Sequence, residues 1–204
     1  MSTEITLQTP YQEDVVQYYR VLIQPRHMNT KIEDNIYTIL KNEVQKKCNK
    51  DCYIDEVKGI LNYEECDMNA ENLSGAALYN VTYLCNIYLP IEHSFVIAKV
   101  LSISAEQIFL ENGPLIITSR LSLIRNPNWK IEGSELYNIS NNKKLQVGDY
   151  VSILILGKKI NNGETQITVL GVVHDLVTDK EVEKYYGKKI IELEDDNMED
   201  NYIL

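Results

Sequence analysis

The sequence predicts an α+β fold in two parts: a small domain with one helix, followed by a domain built almost entirely of strands. One segment near the N-terminus carries apolar residues at helical spacing. From Ala77 to Leu89, apolar and other residues alternate without interruption, which is the strongest strand pattern in the chain. Beyond Pro90 almost every apolar run has the same period of two. A chain of 204 residues has room for two such domains.

Composition is that of an ordinary globular protein, with 44% hydrophobic and 25% charged residues. No run of about 18 apolar residues occurs, so we expect no membrane partner. The N-terminus lacks a basic start followed by an apolar block, which argues against a secretory signal and favours an intracellular protein.

The net charge of −10 is unevenly distributed along the chain. Residues 93–190 carry 12 basic and 10 acidic side chains, whereas residues 191–204 carry six acidic side chains and no basic ones. The later domain is therefore mildly basic and could face phosphates. Residues 191–204 are predicted to be a disordered acidic tail, which could serve solubility or docking.

The first domain is predicted element by element from local patterns. Residues 1–20 have few apolar anchors and are expected to form an extended arm, after which Val21–Ile23 is a short strand. Thr30 and Glu33 match a capping box that would start a helix running from about Lys31 to Lys47. Its apolar stripe consists of Ile32, Ile36, Ile39, Leu40 and Val44.

The rest of the first domain is predicted as strand, loop and strand. Residues 53–61 have a strand pattern, residues 62–75 form a polar loop, and the alternating run up to Leu89 is the last strand. The stretch from Pro90 to His93 marks the domain boundary.

The second domain is predicted to contain five strands and one long irregular insertion, Arg125 to Leu145. Asn112-Gly113-Pro114 and Asn161-Asn162-Gly163 supply turns between strands. Five short strands with an excursion between the third and fourth match the layout of an OB-fold barrel. The predicted strands are Phe95–Ile103, Gln107–Glu111, Leu115–Thr118, Tyr150–Ile160 and Glu164–Val173.

Ordered short motifs between about residues 20 and 175 resemble one protein family. They are Val21-Leu22-Ile23-Gln24-Pro25, Val81-Thr82-Tyr83, Tyr88-x-Pro90, Ala98-x-Val100, Ile108-Phe109, Gly113-Pro114, Ser119-Arg120 and the hairpin from Gly148-Asp149-Tyr150-Val151 to Gly171. In this set the chain resembles the stalk subunit of archaeal and eukaryotic-type multisubunit DNA-directed RNA polymerases. Besides the archaeal stalk proteins, this family includes nuclear and large-DNA-virus relatives. The family usually has glycine where this chain has Gln107, immediately before Ile108-Phe109.

The resemblance implies a non-catalytic subunit that contributes to transcription initiation and binds nascent single-stranded RNA. It implies a tip domain at residues 21–92 that docks on the large polymerase core subunits, and an OB-fold RNA-binding domain at residues 93–190. A small helical stalk partner would bind the Tyr-rich strand from Tyr79 to Tyr88. No cofactor or metal is implied. The protein would act where its polymerase acts, in a nucleus, or in the host cytoplasm or virion of a large DNA virus.

OB-folds hold single strands by stacking bases on aromatic side chains and by placing cations along the phosphate path. Phe109 is the stacking candidate, although a lone aromatic residue in a strand could equally belong to the barrel core. Lys158 and Lys159 could contact phosphate or simply flank a solvated hairpin. The complete set of RNA-binding candidates is Lys99, Phe109, Arg120, Arg125, Lys130, Lys158 and Lys159.

The resemblance implies that the tip domain docks through its loop, Leu61 to Gly75, with Tyr63 and Leu73 as apolar anchors. The alternative is a flexible surface loop that docks on nothing. The docking candidates are Leu61, Asn62, Tyr63, Leu73 and Gly75.

Catalytic and metal-binding alternatives have weaker support in the sequence. Phosphate-loop, dinucleotide-loop and nucleophile-elbow motifs do not occur, and the three histidines lack catalytic or metal-type spacing. The four cysteines do not follow the C-x2-C spacing of zinc knuckles, so buried thiols are favoured over structural zinc. Two alternatives remain open: a free OB-fold RNA-binding protein acting in translation or RNA processing, and a hydrolase with an unrecognised site.

Overall fold

The structure is a computed structural model that describes residues 7–65, 74–132, 135–139 and 143–187. The chain divides into two compact units. We call the first the tip unit; it comprises Pro10–Leu89 and Ile160–Ile167. The second, the barrel unit, comprises Pro90–Lys159 and the described parts of Met1–Thr9 and Thr168–Leu204.

The tip unit is a four-stranded antiparallel sheet with one helix. In chain order its elements are β1 (Tyr11–Ile23), α1 (Ile32–Val44), β2 (Lys47–Cys48), β3 (Tyr53–Glu65) and β4 (Ala77–Tyr88). The strands lie in the order β1-β4-β3-β2, so the strongly alternating strand β4 is central. Alternation puts Tyr79, Val81 and Tyr83 on the buried face, where they pack in one core with Ile36 and Leu40 of α1.

Strand β1 begins at Tyr11, ten residues before the predicted strand at Val21–Ile23. Its first half is polar and has little intrinsic strand signal. The strand forms because it pairs with β4 along its length, from Tyr11 opposite Tyr88 to Ile23 opposite Ala77. Tertiary pairing therefore overrides the weak local preference of this segment.

Helix α1 and strand β3 also differ from their predicted bounds. The helix ends at Val44, and the N-cap is Lys31 rather than Thr30, without the predicted capping box. The Asn29 side chain instead accepts a hydrogen bond from the Lys31 N–H at 2.9 Å. Strand β3 continues four residues beyond Leu61 because its last residues still pair with β4.

The barrel unit contains a closed barrel of five strands, which confirms the predicted OB-fold architecture. The strands are β5 (Phe95–Ile103), β6 (Gln107–Asn112), β7 (Leu115–Arg120), β11 (Tyr150–Lys159) and β12 (Ile167–Leu176). Around the barrel they follow the order β11-β12-β7-β6-β5. Val100, Ile108, Ile117, Ile153 and Val173 are among the residues that fill its interior.

The predicted irregular insertion is instead a small three-stranded sheet. Its strands are β8 (Trp129–Glu132), β9 (Glu135–Asn138) and β10 (Lys143–Lys144). The sequence pattern did not predict this sheet, because the segment is held by side-chain hydrogen bonds to a strand distant in sequence. Trp129 Nε1 donates to the His174 carbonyl at 2.8 Å, and Asn138 Nδ2 donates to Asp175 Oδ1 at 2.8 Å.

A second helix, α2 (Asp179–Tyr186), follows the barrel and has no counterpart among the predicted elements. A capping box between Thr178 and Glu181 starts it. Tyr186 donates through its hydroxyl to the Ile97 carbonyl at 2.8 Å, which ties the helix to β5. Neither α1 nor α2 is long and apolar enough to cross a bilayer, and the described residues contain no other candidate span.

Candidate nucleic-acid interface

Phe109 lies on the outer face of the barrel. Its neighbours in β6, Ile108 and Leu110, are fully buried in the barrel core, and strict alternation turns Phe109 the other way. The ring is half-buried, with Ser102 of β5 and Thr118 of β7 opposite it in the register. Small polar neighbours leave the ring accessible from outside, as a stacking platform requires.

Arg120 lies beside this aromatic side chain on the same face. It is exposed and stands opposite Gln107, two cross-strand pairs along the register from Phe109 and Thr118. Both side chains line a surface cleft, which Glu106 also lines. Gln107, which stands where the family usually has glycine, therefore lies on the same strand face as Phe109 and lines the cleft itself.

Lys99 has an aromatic and an acidic neighbour on the adjacent strands of the barrel. Its Nζ atom lies 5.9 Å from the centre of the Tyr150 ring, within the range of a cation–π contact. Glu111 faces it directly across the β5–β6 register. Lys99 therefore belongs to the same outer surface, but it is less available to a phosphate than a cation that extends into solvent.

Of the other candidate RNA-binding cations, two are engaged with groups of the protein and two have no partner in the described residues. Lys130 Nζ lies 2.6 Å from Glu132, and Lys158 Nζ donates to the Pro90 carbonyl at 2.8 Å. Arg125 and Lys159 are exposed, and like Arg120 they have no hydrogen-bond or ion-pair partner in the described part of the chain.

The predicted docking residues occupy the end of β3 and the turn before β4. Leu61 is the extra residue of a β-bulge and is 56% exposed, whereas Tyr63 packs partly against the tip core, its ring 6.2 Å from that of Tyr79. Asn62 is exposed, and Gly75 has a φ of +67°, which favours glycine. The remaining candidate, Leu73, lies outside the described residues.

The Tyr-rich strand offers less surface than the sequence suggested. Tyr79 and Tyr83 are buried in the tip core, and burial raises the pKa of the Tyr83 hydroxyl. The exposed apolar side chains lie instead on the opposite sheet face, on β1. On that face Val16, Tyr18 and Leu22 are exposed, with Tyr18 77% exposed, while Tyr19 is exposed on the other face. Alternation within β1 could have revealed this face had the strand been recognised.

The described cysteines are buried, reduced thiols. Cys48 and Cys85 donate weak hydrogen bonds from sulfur to backbone carbonyls, and Cys52 packs in the tip core. Cys66 lies outside the described residues. Across the described part of the chain, histidine, cysteine and acidic side chains form no cluster of three or more that could hold a metal ion.

The sequence is similar to those of two DNA-directed RNA polymerase subunits. No protein-family model matches the chain. A protein of Acanthamoeba polyphaga mimivirus, provisionally named DNA-directed RNA polymerase subunit L376, is 26% identical over 172 residues, which cover 84% of this chain and 86% of the viral protein. DNA-directed RNA polymerase subunit Rpo7 of Sulfolobus acidocaldarius is 25% identical over 146 residues, covering 70% and 79% of the two chains. The chain is thus a homologue of these two DNA-directed RNA polymerase subunits, which confirms the resemblance to the family of archaeal stalk subunits.

Proposed function

We propose that this protein is the non-catalytic stalk subunit of a multisubunit DNA-directed RNA polymerase and that it contributes to transcription initiation. The observation that carries the proposal is homology to two polymerase subunits along most of the chain. It spans both the strand-and-helix tip unit and the closed barrel. A sequence match that extends across both units favours a shared role in a complex over a single shared RNA-binding module.

In this proposal the barrel, within residues 93–190, guides nascent single-stranded RNA. Phe109 supplies a stacking surface, and Arg120 supplies a nearby cation without a partner in the described residues. Since residues 93–190 carry a net charge of only +2, we expect weak, salt-sensitive binding with little sequence preference. Such binding suffices when a polymerase delivers the RNA at high local concentration.

The tip domain, residues 21–92, docks on the large polymerase core subunits in this proposal. Leu61 is the described docking candidate with the largest exposed apolar surface. The exposed β1 face, rather than the buried tyrosines of β4, is the surface we assign to the small helical partner. Apolar sheet faces of this kind mark interaction sites in soluble proteins. Residues 1–20 and 191–204 flank the two domains, and the protein acts wherever its polymerase acts.

The environment of two of the three histidines supports the proposed lack of catalysis. The His174 ring packs edge-on against Phe95, and His27 Nε2 accepts a hydrogen bond from Arg26. Neither arrangement places a carboxylate beside the imidazole, as a general base and its orienting group would require.

An affinity pull-down of the tagged full chain from its source cells, analysed by mass spectrometry, tests this proposal. We expect the large polymerase subunits and one small helical protein. A Leu61→Glu variant should lose the large subunits, while Leu101→Glu, a matched change at an exposed leucine of the barrel unit, should keep them. Recovery of RNA, ribosomes or processing factors without polymerase would overturn the stalk role in favour of a free OB-fold RNA-binding protein.

A further inference from the structure

A polar cleft opens on the barrel unit where the β5–β6 turn meets the residues that follow β7. Glu106, Gln107, Arg120 and Ser122 supply its polar lining. Its volume is about 560 Å³, within the range found for small-molecule sites. Phe109 lies two residues beyond Gln107 along β6, on the same face of the strand. The cleft therefore adjoins the aromatic surface proposed to stack RNA bases.

Hydrogen bonds fix the backbone on both sides of this cleft. Within the β5–β6 turn, Ser104 Oγ donates to the Gln107 carbonyl at 2.7 Å and accepts from the Gln107 N–H at 3.2 Å. The Leu121 N–H donates to the Glu106 carbonyl at 3.0 Å, which joins the turn to the end of β7. Leu121 is itself buried and anchors its segment. Because the two sides are held before a ligand arrives, binding costs less conformational entropy.

Three side chains that line the cleft are not engaged with other parts of the protein. Glu106 and Arg120 are exposed, and Gln107 is half-buried. None of these side chains has a hydrogen-bond or ion-pair partner among the residues that the structure describes. The carboxylate and the guanidinium thus line one cleft without pairing, and both are available to a ligand that enters it.

The carboxylate of Glu106 restricts which ligand this surface favours. A negative charge beside an RNA path repels phosphates and lowers the affinity for most strands. The same charge becomes favourable when two neighbouring donors of a base point at its two oxygens. Among the Watson–Crick edges of the four RNA bases, guanine alone presents two adjacent donors, N1–H and the N2 amino group. The guanine O6 beside them is an acceptor, which the amide of Gln107 can satisfy.

We propose that this cleft binds a guanine base of single-stranded RNA. Glu106 accepts hydrogen bonds from N1–H and the N2 amino group, and the Gln107 amide donates to O6. Arg120 contacts the phosphate of the same nucleotide, while Phe109 stacks the adjacent base. A charged peptide of either sign would be attracted by one of the two charged side chains and repelled by the other. The inference rests on the proposed RNA binding and deepens it, because it adds a preference for one base to a surface whose net charge alone predicts little.

The test compares three uridylate octamers in equilibrium titrations of the full chain. The first contains only uridine, the second has a single central guanosine, and the third has inosine in its place. Inosine lacks only the 2-amino group of guanosine. We expect the wild-type chain to bind the guanosine strand about tenfold more tightly than the all-uridine strand, and to bind the inosine strand with intermediate affinity.

Glu106→Met should remove the difference between the guanosine and inosine strands, because the acceptor for the N2 amino group is lost. It should bind the all-uridine strand at least as tightly as the wild-type chain does, since a repelling charge is lost. Gln107→Met should reduce the guanosine preference severalfold. Glu183→Met, a matched change at an exposed acidic residue of α2, should leave it intact. Retention of Trp129 fluorescence in each variant establishes that the barrel is folded, since Trp129 is bonded to the His174 carbonyl.

Equal binding of the three strands by the wild-type chain, or a guanosine preference that survives Glu106→Met, would refute the guanine site while RNA binding stands. If the chain binds none of the strands, the proposed RNA binding itself fails. Guanosine monophosphate that binds as tightly as the guanosine strand would show that the cleft takes a free nucleotide rather than RNA. Equal binding of the strands together with loss of polymerase subunits from a Glu106→Met pull-down would make the cleft a protein contact.

Discussion

A Cβ atom at Gly171 would lie 2.5 Å from Cγ2 of Ile153, across the β11–β12 pair of the barrel. Real Cβ atoms essentially never approach another heavy atom so closely. Ile153 is fully buried, and the same Cβ would also lie 3.2 Å from Cγ2 of Ile117. Glycine at this position lets three strands meet around a densely packed barrel core.

Gly171→Ala should therefore destabilise the barrel by about 1–3 kcal/mol, as overpacking of a filled core typically does. Gly157→Ala is the matched control, because nothing lies within 4 Å of a Cβ there. We expect the control to change stability by less than about 0.5 kcal/mol. Urea unfolding followed by the fluorescence of Trp129, the single tryptophan, measures both values. Equal stabilities for the two variants would contradict the packing argument.

Alkaline pH should destabilise the tip unit. Burial raises the pKa of the Cys85 thiol to about 12 and that of the Tyr88 hydroxyl to about 12. In the unfolded chain both groups lose their protons at lower pH, near 9 for the thiol and 10 for the hydroxyl. The unfolded state then binds fewer protons than the folded one, so stability is intact below pH 9 and falls as pH rises towards 12.

Each group deprotonated only in the unfolded state lowers the unfolding free energy by about 1.4 kcal/mol per pH unit. Urea titrations at pH 7, 9 and 10.5, followed by circular dichroism, measure this loss. Cys85→Ala should remove the part that begins near pH 9, at some cost in stability at neutral pH. A pH profile identical to that of the wild-type chain would show that Cys85 does not contribute.

Asp175 should be required to hold the small three-stranded sheet on the barrel. Its carboxylate accepts hydrogen bonds from Asn138 at 2.8 Å and Asn128 at 3.1 Å, and Asn138 is fully buried. Asp175→Ala should cost about 1–3 kcal/mol, because a buried amide loses its acceptor. Glu132→Gln, at an exposed ion pair with Lys130, should change little. Trp129 fluorescence during urea unfolding compares the two, and similar stabilities would refute the role of Asp175.

Phe109 and Arg120 should affect RNA binding in distinguishable ways. Phe109→Ala removes stacking and should lower affinity for single-stranded RNA without changing its salt dependence. Arg120→Gln should lower affinity severalfold and reduce the slope of log affinity against log salt by about 0.7, the value for one phosphate contact.

Lys130→Gln serves as the charge-matched control for Arg120→Gln, since Lys130 is already paired with Glu132. Fluorescence anisotropy with a labelled oligonucleotide at several salt concentrations measures affinity and slope together. A larger loss for Lys130→Gln than for Arg120→Gln would place the RNA path elsewhere on the barrel.

Local sequence patterns predict the main elements of both domains. The central strand β4 buries alternate side chains over most of its length, so the alternation in its sequence reflects its position in the fold. The five barrel strands and the one apolar-striped helix are predictable for the same reason. The motifs that resemble polymerase stalk subunits lie mostly on these elements.

Elements and sites held by distant partners are visible only in the folded chain. Strand β1 forms because it pairs with β4. The β8–β10 sheet is held in place because Trp129 and Asn138 donate hydrogen bonds to residues of β12. The bulges at His174 and Leu156 exist only through the pairing of β11 with β12. An ion pair and a backbone hydrogen bond, rather than burial, distinguish Lys130 and Lys158 from the exposed cations without a partner in the described residues. No local pattern encodes such features, because their free energy comes from contacts between residues far apart in the chain.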